Sequence, residues 1–112
     1  MKRTLFIALL ALASSNVYAG DASAGAQKAK PCTACHGANF DTPISPDIPR
    51  LAGQHGDYLA RALTDYKSGA RKNPVMGGQA AALSAQDIDN IATYISGLSG
   101  KLKTIPLQRF VH

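Results

Sequence analysis

The sequence predicts an all-α domain of three or four short helices joined by long loops. Three observations predict it. Apolar residues recur at helical spacing in residues 59–66 and again in 88–98. No stretch sustains the period-two alternation of a half-buried strand. Proline and glycine gather between the periodic stretches, where they punctuate loops.

Residues 1–19 read as a secretory signal. Lys2 and Arg3 give a short positive start, Leu5 to Ala13 is an apolar run, and Val17-Tyr18-Ala19 ends in a small residue suited to cleavage. The run breaks at Ser14-Ser15-Asn16, short of the roughly 20 apolar residues that a membrane span needs. The expected working chain is residues 20–112, exported and with no membrane span after cleavage.

The elements follow in order. Residues 21–30 predict a short Ala-rich helix capped by Asp21 and stopped by Pro31. Residues 37–50, with prolines at 43, 46 and 49, predict an extended surface loop. A helix from Gln54 or Asp57 to Ser68 places Leu59, Ala62, Leu63 and Tyr66 on one face, with Gly69 just past its end. Residues 72–80 read as irregular because of Pro74 and the Gly77-Gly78 pair. The last helix starts at Ser84, whose spacing to Asp87 suits a capping box, and carries Ile88, Ile91, Ala92, Ile95 and Leu98 to an end at Gly97 or Gly100. A tail from about residue 101 contains Pro106 and scattered apolar residues.

Charge narrows the partners. The chain is +5, and loss of Lys2 and Arg3 leaves +3. No Lys/Arg run of the nucleic-acid-binding kind is present, which argues against a nucleic-acid partner. A 93-residue exported chain has only a modest core, and small exported domains usually add disulfides or a metal. Here Cys32 and Cys35 are the only cysteines, so something else must fill the core.

Those two cysteines lie in Cys32-Thr33-Ala34-Cys35-His36, a C-x-x-C-H sequence, the attachment signal for haem c. The two thiols add to the two porphyrin vinyl groups as thioethers, and the next residue, His36, is held with its imidazole toward the iron. A structural zinc site, a thioredoxin-like redox pair and a plain disulfide are the competing readings. Zinc calls for four ligands and the redox pair for a βαβ setting, and neither is evident. Long loops in so small a domain also make sense if they wrap a large rigid ligand. For the sixth iron ligand, Met76 lies 40 residues beyond His36 in the Pro- and Gly-flanked stretch, with His55 as rival and His112 at the chain end. His/Met ligation raises the potential relative to bis-His and leaves no open iron position, which argues for electron transfer over ligand chemistry.

With these residues the chain resembles the class I c-type cytochromes. Within them it is most similar to one half of the bacterial dihaem cytochromes of the c-four type. Pro49-Arg50-Leu51-Ala52-Gly53-Gln54, Tyr58-Leu59, Lys67-Ser68-Gly69-Ala70-Arg71 and Asn73-Pro74-Val75-Met76 carry the likeness. The resemblance implies a cytochrome c-like fold and a carbonyl of Pro49 that accepts the His36 imidazole N–H. It also implies close packing of Gly25 on Tyr94, and Arg71 and Gln54 as neighbours of a haem propionate. Only one C-x-x-C-H is present, so a monohaem protein is expected.

The expected function is that of a periplasmic single-electron carrier and not an enzyme. Its expected redox partners are a quinol-oxidising complex, a terminal oxidase or a dehydrogenase. The alternatives are a haem c subunit docked to a periplasmic dehydrogenase or oxidase, and a sensor with five-coordinate haem in which Met76 is unbound.

Overall fold

Asp21 starts the first helix as the sequence suggests. In this computed structural model, which describes residues 20–103, its carboxylate accepts the backbone N–H groups of Ser23 and Ala24, and helix α1 runs Ala22–Lys28. A 3₁₀ turn, Lys30–Cys32, carries Pro31 as its second residue and leads directly into a one-turn helix α2, Thr33–His36. Helix α3 is Gly56–Ser68, ended by Gly69. Helix α4 is Pro74–Ala81 and α5 is Ala85–Ser96. There is no strand among the described residues. The expected signal, the end of the tail and His112 lie outside them.

The all-α class holds, but the helix count exceeds three or four, for two reasons. The Cys–His motif itself coils into a turn of helix. Residues 72–80, read as irregular, hold all but the last residue of α4. Asn73 caps α4 by accepting the N–H groups of Val75 and Met76, both at 3.0 Å, and Pro74 occupies the first turn, where its missing N–H costs nothing. These end signals outweigh the two glycines in the helix interior.

Three helix pairs form the body: α1 with α5, α3 with α5, and α3 with α4. Gly25 makes the first crossing possible. A side chain there would lie 2.0 Å from the carbonyl oxygen of Asn90, so only hydrogen lets the two backbones meet. The nearest atoms of α5 are those of Asn90 and Ile91, one turn before Tyr94. Asn90 is itself buried and satisfied, its Oδ1 accepting from the Asp21 N–H and the Gln86 amide, both at 2.8 Å.

The core gathers Leu59, Ile91, Ala92 and Ile95 with Ala29, Ala52 and Phe40. Phe40 is the largest fully buried side chain, yet it stands in the stretch expected to be a surface loop. It adopts φ +58, an unfavourable conformation for a bulky residue. The position is held from both sides. Its carbonyl accepts from Leu51 and Ala52 at 2.8 and 3.0 Å, and its ring meets Tyr94 edge-on at 6.1 Å. Loop 37–50 is therefore anchored to the core at its start, which fixes everything that follows it.

Candidate functional site

Helix α2 places three side chains on one short turn. Cys32 and Cys35 are half-buried and not joined to each other. His36 is 6% exposed. The chain leaves the turn through Gly37 at φ +92, where a side chain would strike the Thr42 carbonyl. The loop then folds back on the motif: the Ile44 N–H donates to the Cys35 carbonyl at 3.0 Å, and the Pro49 carbonyl lies 2.9 Å from His36 Nδ1.

That last contact determines the imidazole's chemistry. A carbonyl oxygen only accepts, so Nδ1 carries a proton, and in the neutral ring Nε2 keeps its lone pair. This is the arrangement that orients a histidine for a metal. Burial pushes the Cys32 thiol above its ordinary value of 9.0. A backbone hydrogen bond opposes that shift, and Cys35 adds to it. A thioredoxin-like attacking cysteine has the opposite shift, toward an easily formed thiolate. Among the described residues no three His, Cys, Asp or Glu side chains gather into a metal-holding group, so the four-ligand zinc reading has no donor set.

The other residues singled out in the sequence are placed as follows. Met76 is half-buried in the first turn of α4, and its N–H is tied to Asn73. Helix α4 packs on α3 and makes no helix contact with the Cys–His turn. His55 caps the start of α3 and is partly exposed. Arg71 is exposed and turned to the tyrosines of α3. Its Nη1 donates to the Tyr58 hydroxyl at 3.4 Å, and its guanidinium sits 4.8 Å from the Tyr66 ring centroid. Those two tyrosines hold it still more firmly protonated, the bond to Tyr58 most of all.

A cavity of about 760 Å³ opens beside the motif. Pro43, Ile44, Pro46, Ile48, Pro49 and Leu102 form its apolar wall, with Ser45, Arg50 and Gln54 completing it. Arg50 figures in the sequence only within the Pro49–Gln54 stretch that carries the family likeness, with no site role assigned to it.

The chain is similar to several known proteins. A family model described as cytochrome c matches residues 22–99. Cytochrome c4 from Pseudomonas aeruginosa is 46% identical over 78 residues, covering 70% of this chain and 38% of that protein. The cytochrome subunit of sulfide dehydrogenase from Chlorobaculum tepidum is 34% identical over 109 residues, covering 87% of this chain and 97% of the relative. The crystal structure of reduced recombinant cytochrome c4 from Pseudomonas stutzeri superposes with a TM-score of 0.60 at 36% identity, covering 70% of this chain and 48% of that one. The chain spans between a third and about half of the length of the curated cytochromes c4 it matches.

Proposed function

The chain belongs to the cytochrome c family, and from that premise we propose that it is a periplasmic carrier of single electrons, in which Cys32 and Cys35 would attach haem c and His36 and Met76 would hold its iron. Haem c supplies an iron that alternates between ferrous and ferric. The chain supplies the attachment, the orientation and the dry surroundings. The two cysteines anchor the ring and prevent its loss. His36, with Nδ1 committed to Pro49, presents Nε2 in a fixed direction. Met76 offers a neutral, polarisable thioether from a helix that leaves the Cys–His turn uncovered.

The observation that carries this reading is the 2.9 Å contact from His36 to Pro49 inside a C-x-x-C-H turn. Two others support it. The donor set is two free thiols and one imidazole, which fits covalent haem, and among the described residues no cluster of three metal-ligating side chains gathers. Exposed apolar side chains also stand on both segments involved: Ile44 beside Cys35 and Val75 beside Met76. A small apolar contact area of this kind suits the brief encounters of redox partners.

Export and cleavage after Ala19 belong to the same proposal. Gly20, the first residue after that bond, packs against the α5 backbone at Asp89. No helix among the described residues is long and apolar enough to cross a membrane.

The test is optical and mass spectrometry of the native protein. The expected result is one added haem mass that survives denaturation, with a weak far-red iron–sulfur band in the oxidised form. Met76→Ala should lose that band, lower the potential and open the iron to CO. A chain without haem mass refutes the carrier. An unchanged Met76→Ala spectrum refutes the ligand and leaves His55 as the one to examine.

A second reading is favoured by the sulfide dehydrogenase cytochrome subunit, which this chain matches along almost its whole length. Here the protein is the haem subunit of a dehydrogenase. A stable stoichiometric complex with a catalytic partner in native extracts would establish it. Fast, salt-sensitive reduction by the partner without a lasting complex would establish the free carrier.

A further inference from the structure

We propose that Lys67 is a positioning residue for Met76. Its ammonium donates to the backbone carbonyl of Leu83, ties the far end of α4 to α3, and so keeps the thioether in place. The proposal deepens the carrier reading above and rests on Met76 as the sixth ligand.

Helix α4 is held against α3 at three points. Ahead of it, the Arg71 N–H donates to the Asp65 carbonyl at 3.1 Å. Within it, a side chain at Gly77 would come to 3.6 Å from the Tyr66 carbonyl, so the residue after Met76 lies close to the α3 backbone. Beyond its end, Lys67 reaches from the last turn of α3 to Leu83. Two turns of helix move as one body. Release at Leu83 therefore frees α4 to tilt away from α3, and Met76 with it, while the α1–α5 pair and the Cys–His turn keep their own contacts.

The two groups suit each other. Leu83 stands between Ala82, which ends α4, and Ser84, which caps α5. The last carbonyls of a helix lack intrahelical partners and carry partial negative charge, so an ammonium is favourable there. Among the described residues no carboxylate pairs with Lys67, and Asp65, the nearest acid along the chain, is taken by Arg61 at 3.0 Å. The charge of Lys67 is thus directed to this carbonyl.

The experiment is the rate of CO binding to the ferrous holoprotein without denaturant, which reads how often Met76 leaves the iron. The variants are Lys67→Leu, Lys67→Arg and Lys72→Leu. Leucine keeps the helix propensity and an apolar stem but neither charge nor donor. Lys72 is exposed, forms no ion pair among the described residues and also stands next to α4, so its loss removes the same charge without the tie. Lys67→Leu is expected to bind CO about two- to fivefold faster than wild type, the range that a cation at a helix carboxyl end supplies. Lys67→Arg should return to the wild-type rate, and Lys72→Leu should stay at it. A wild-type rate in Lys67→Leu overturns the proposal even where its unfolding midpoint falls, because that is a role in stability alone. An equal rise in Lys72→Leu overturns it as an effect of net charge, and a failure of Lys67→Arg to restore the rate overturns it as well. Should Lys67→Leu not fold with haem, Lys67→Gln, uncharged and one atom shorter, takes its place under the same outcomes. CO binding to wild type as fast as to Met76→Ala would instead defeat the ligand reading, and absence of haem mass would defeat the carrier itself.

Discussion

Replacing Gly25 by alanine should be among the costliest single-methyl additions this chain can receive. The new carbon would lie 2.0 Å from the Asn90 carbonyl oxygen, 2.5 Å from its carbon and 3.0 Å from the Ile91 nitrogen. Ordinary contact begins near 3.4 Å, so α1 and α5 must separate by about 1.4 Å. No side chain can swing aside, because every atom met is backbone. Overpacking of this kind costs about 1–3 kcal/mol, and a backbone-on-backbone clash belongs at the top of that range. Alanine recovers about 1 kcal/mol as the better helix former. The net loss is about 2 kcal/mol, which lowers the melting temperature of a domain this size by roughly 8–16 °C. The assay is thermal unfolding of the holoprotein followed by far-ultraviolet circular dichroism. Gly97→Ala is the control, since its nearest neighbour would sit at 3.6 Å and its φ is −82. If Gly25→Ala melts within 2 °C of Gly97→Ala, the close backbone crossing of α1 and α5 is refuted.

Two further outcomes follow from the helix ends. Asn73→Ala removes the acceptor for two N–H groups at the start of α4 and should cost about 1 kcal/mol. Because Met76 is in that first turn, the far-red band should disappear at lower denaturant than in wild type while haem stays attached, and coincident transitions in the two proteins would contradict this. Asp87 is held below its ordinary value of 3.8, chiefly by the Ser84 backbone N–H, with the Ser84 hydroxyl and Lys28 assisting and desolvation opposing. A depressed carboxylate stabilises the fold above its unfolded value and loses that contribution as pH falls through the folded one. The stability advantage of wild type over Asp87→Asn in urea should therefore be full at pH 7 and shrink as pH drops below 3.8. An advantage that stays constant to pH 2.5 would rule out the charge as its source.

What the sequence determined by itself is local. The helix spacing of α3 and α5, the caps Asp21 and Ser84, and the end at Gly69 each depend on residues within a turn or two of one another. The Cys32–His36 motif is legible for the same reason, since thioether attachment demands two thiols and an imidazole at fixed spacing along the chain. Helix α4 was partly legible: Asn73 and Pro74 are start signals, but the glycine pair behind them weighed more in a reading by propensity. What only the tertiary structure decided is long-range. Phe40 counts as core because Leu51, Ala52 and Tyr94 surround it, and no periodicity in a proline-rich loop announces that. The bond from His36 to Pro49 ends on a backbone carbonyl, a group every residue carries, so residue identity alone cannot single it out. Arg50 and Arg71 look alike in the sequence; the fold turns one toward the cavity and the other onto Tyr58 and Tyr66, because a side chain's role depends on what the folded chain places around it.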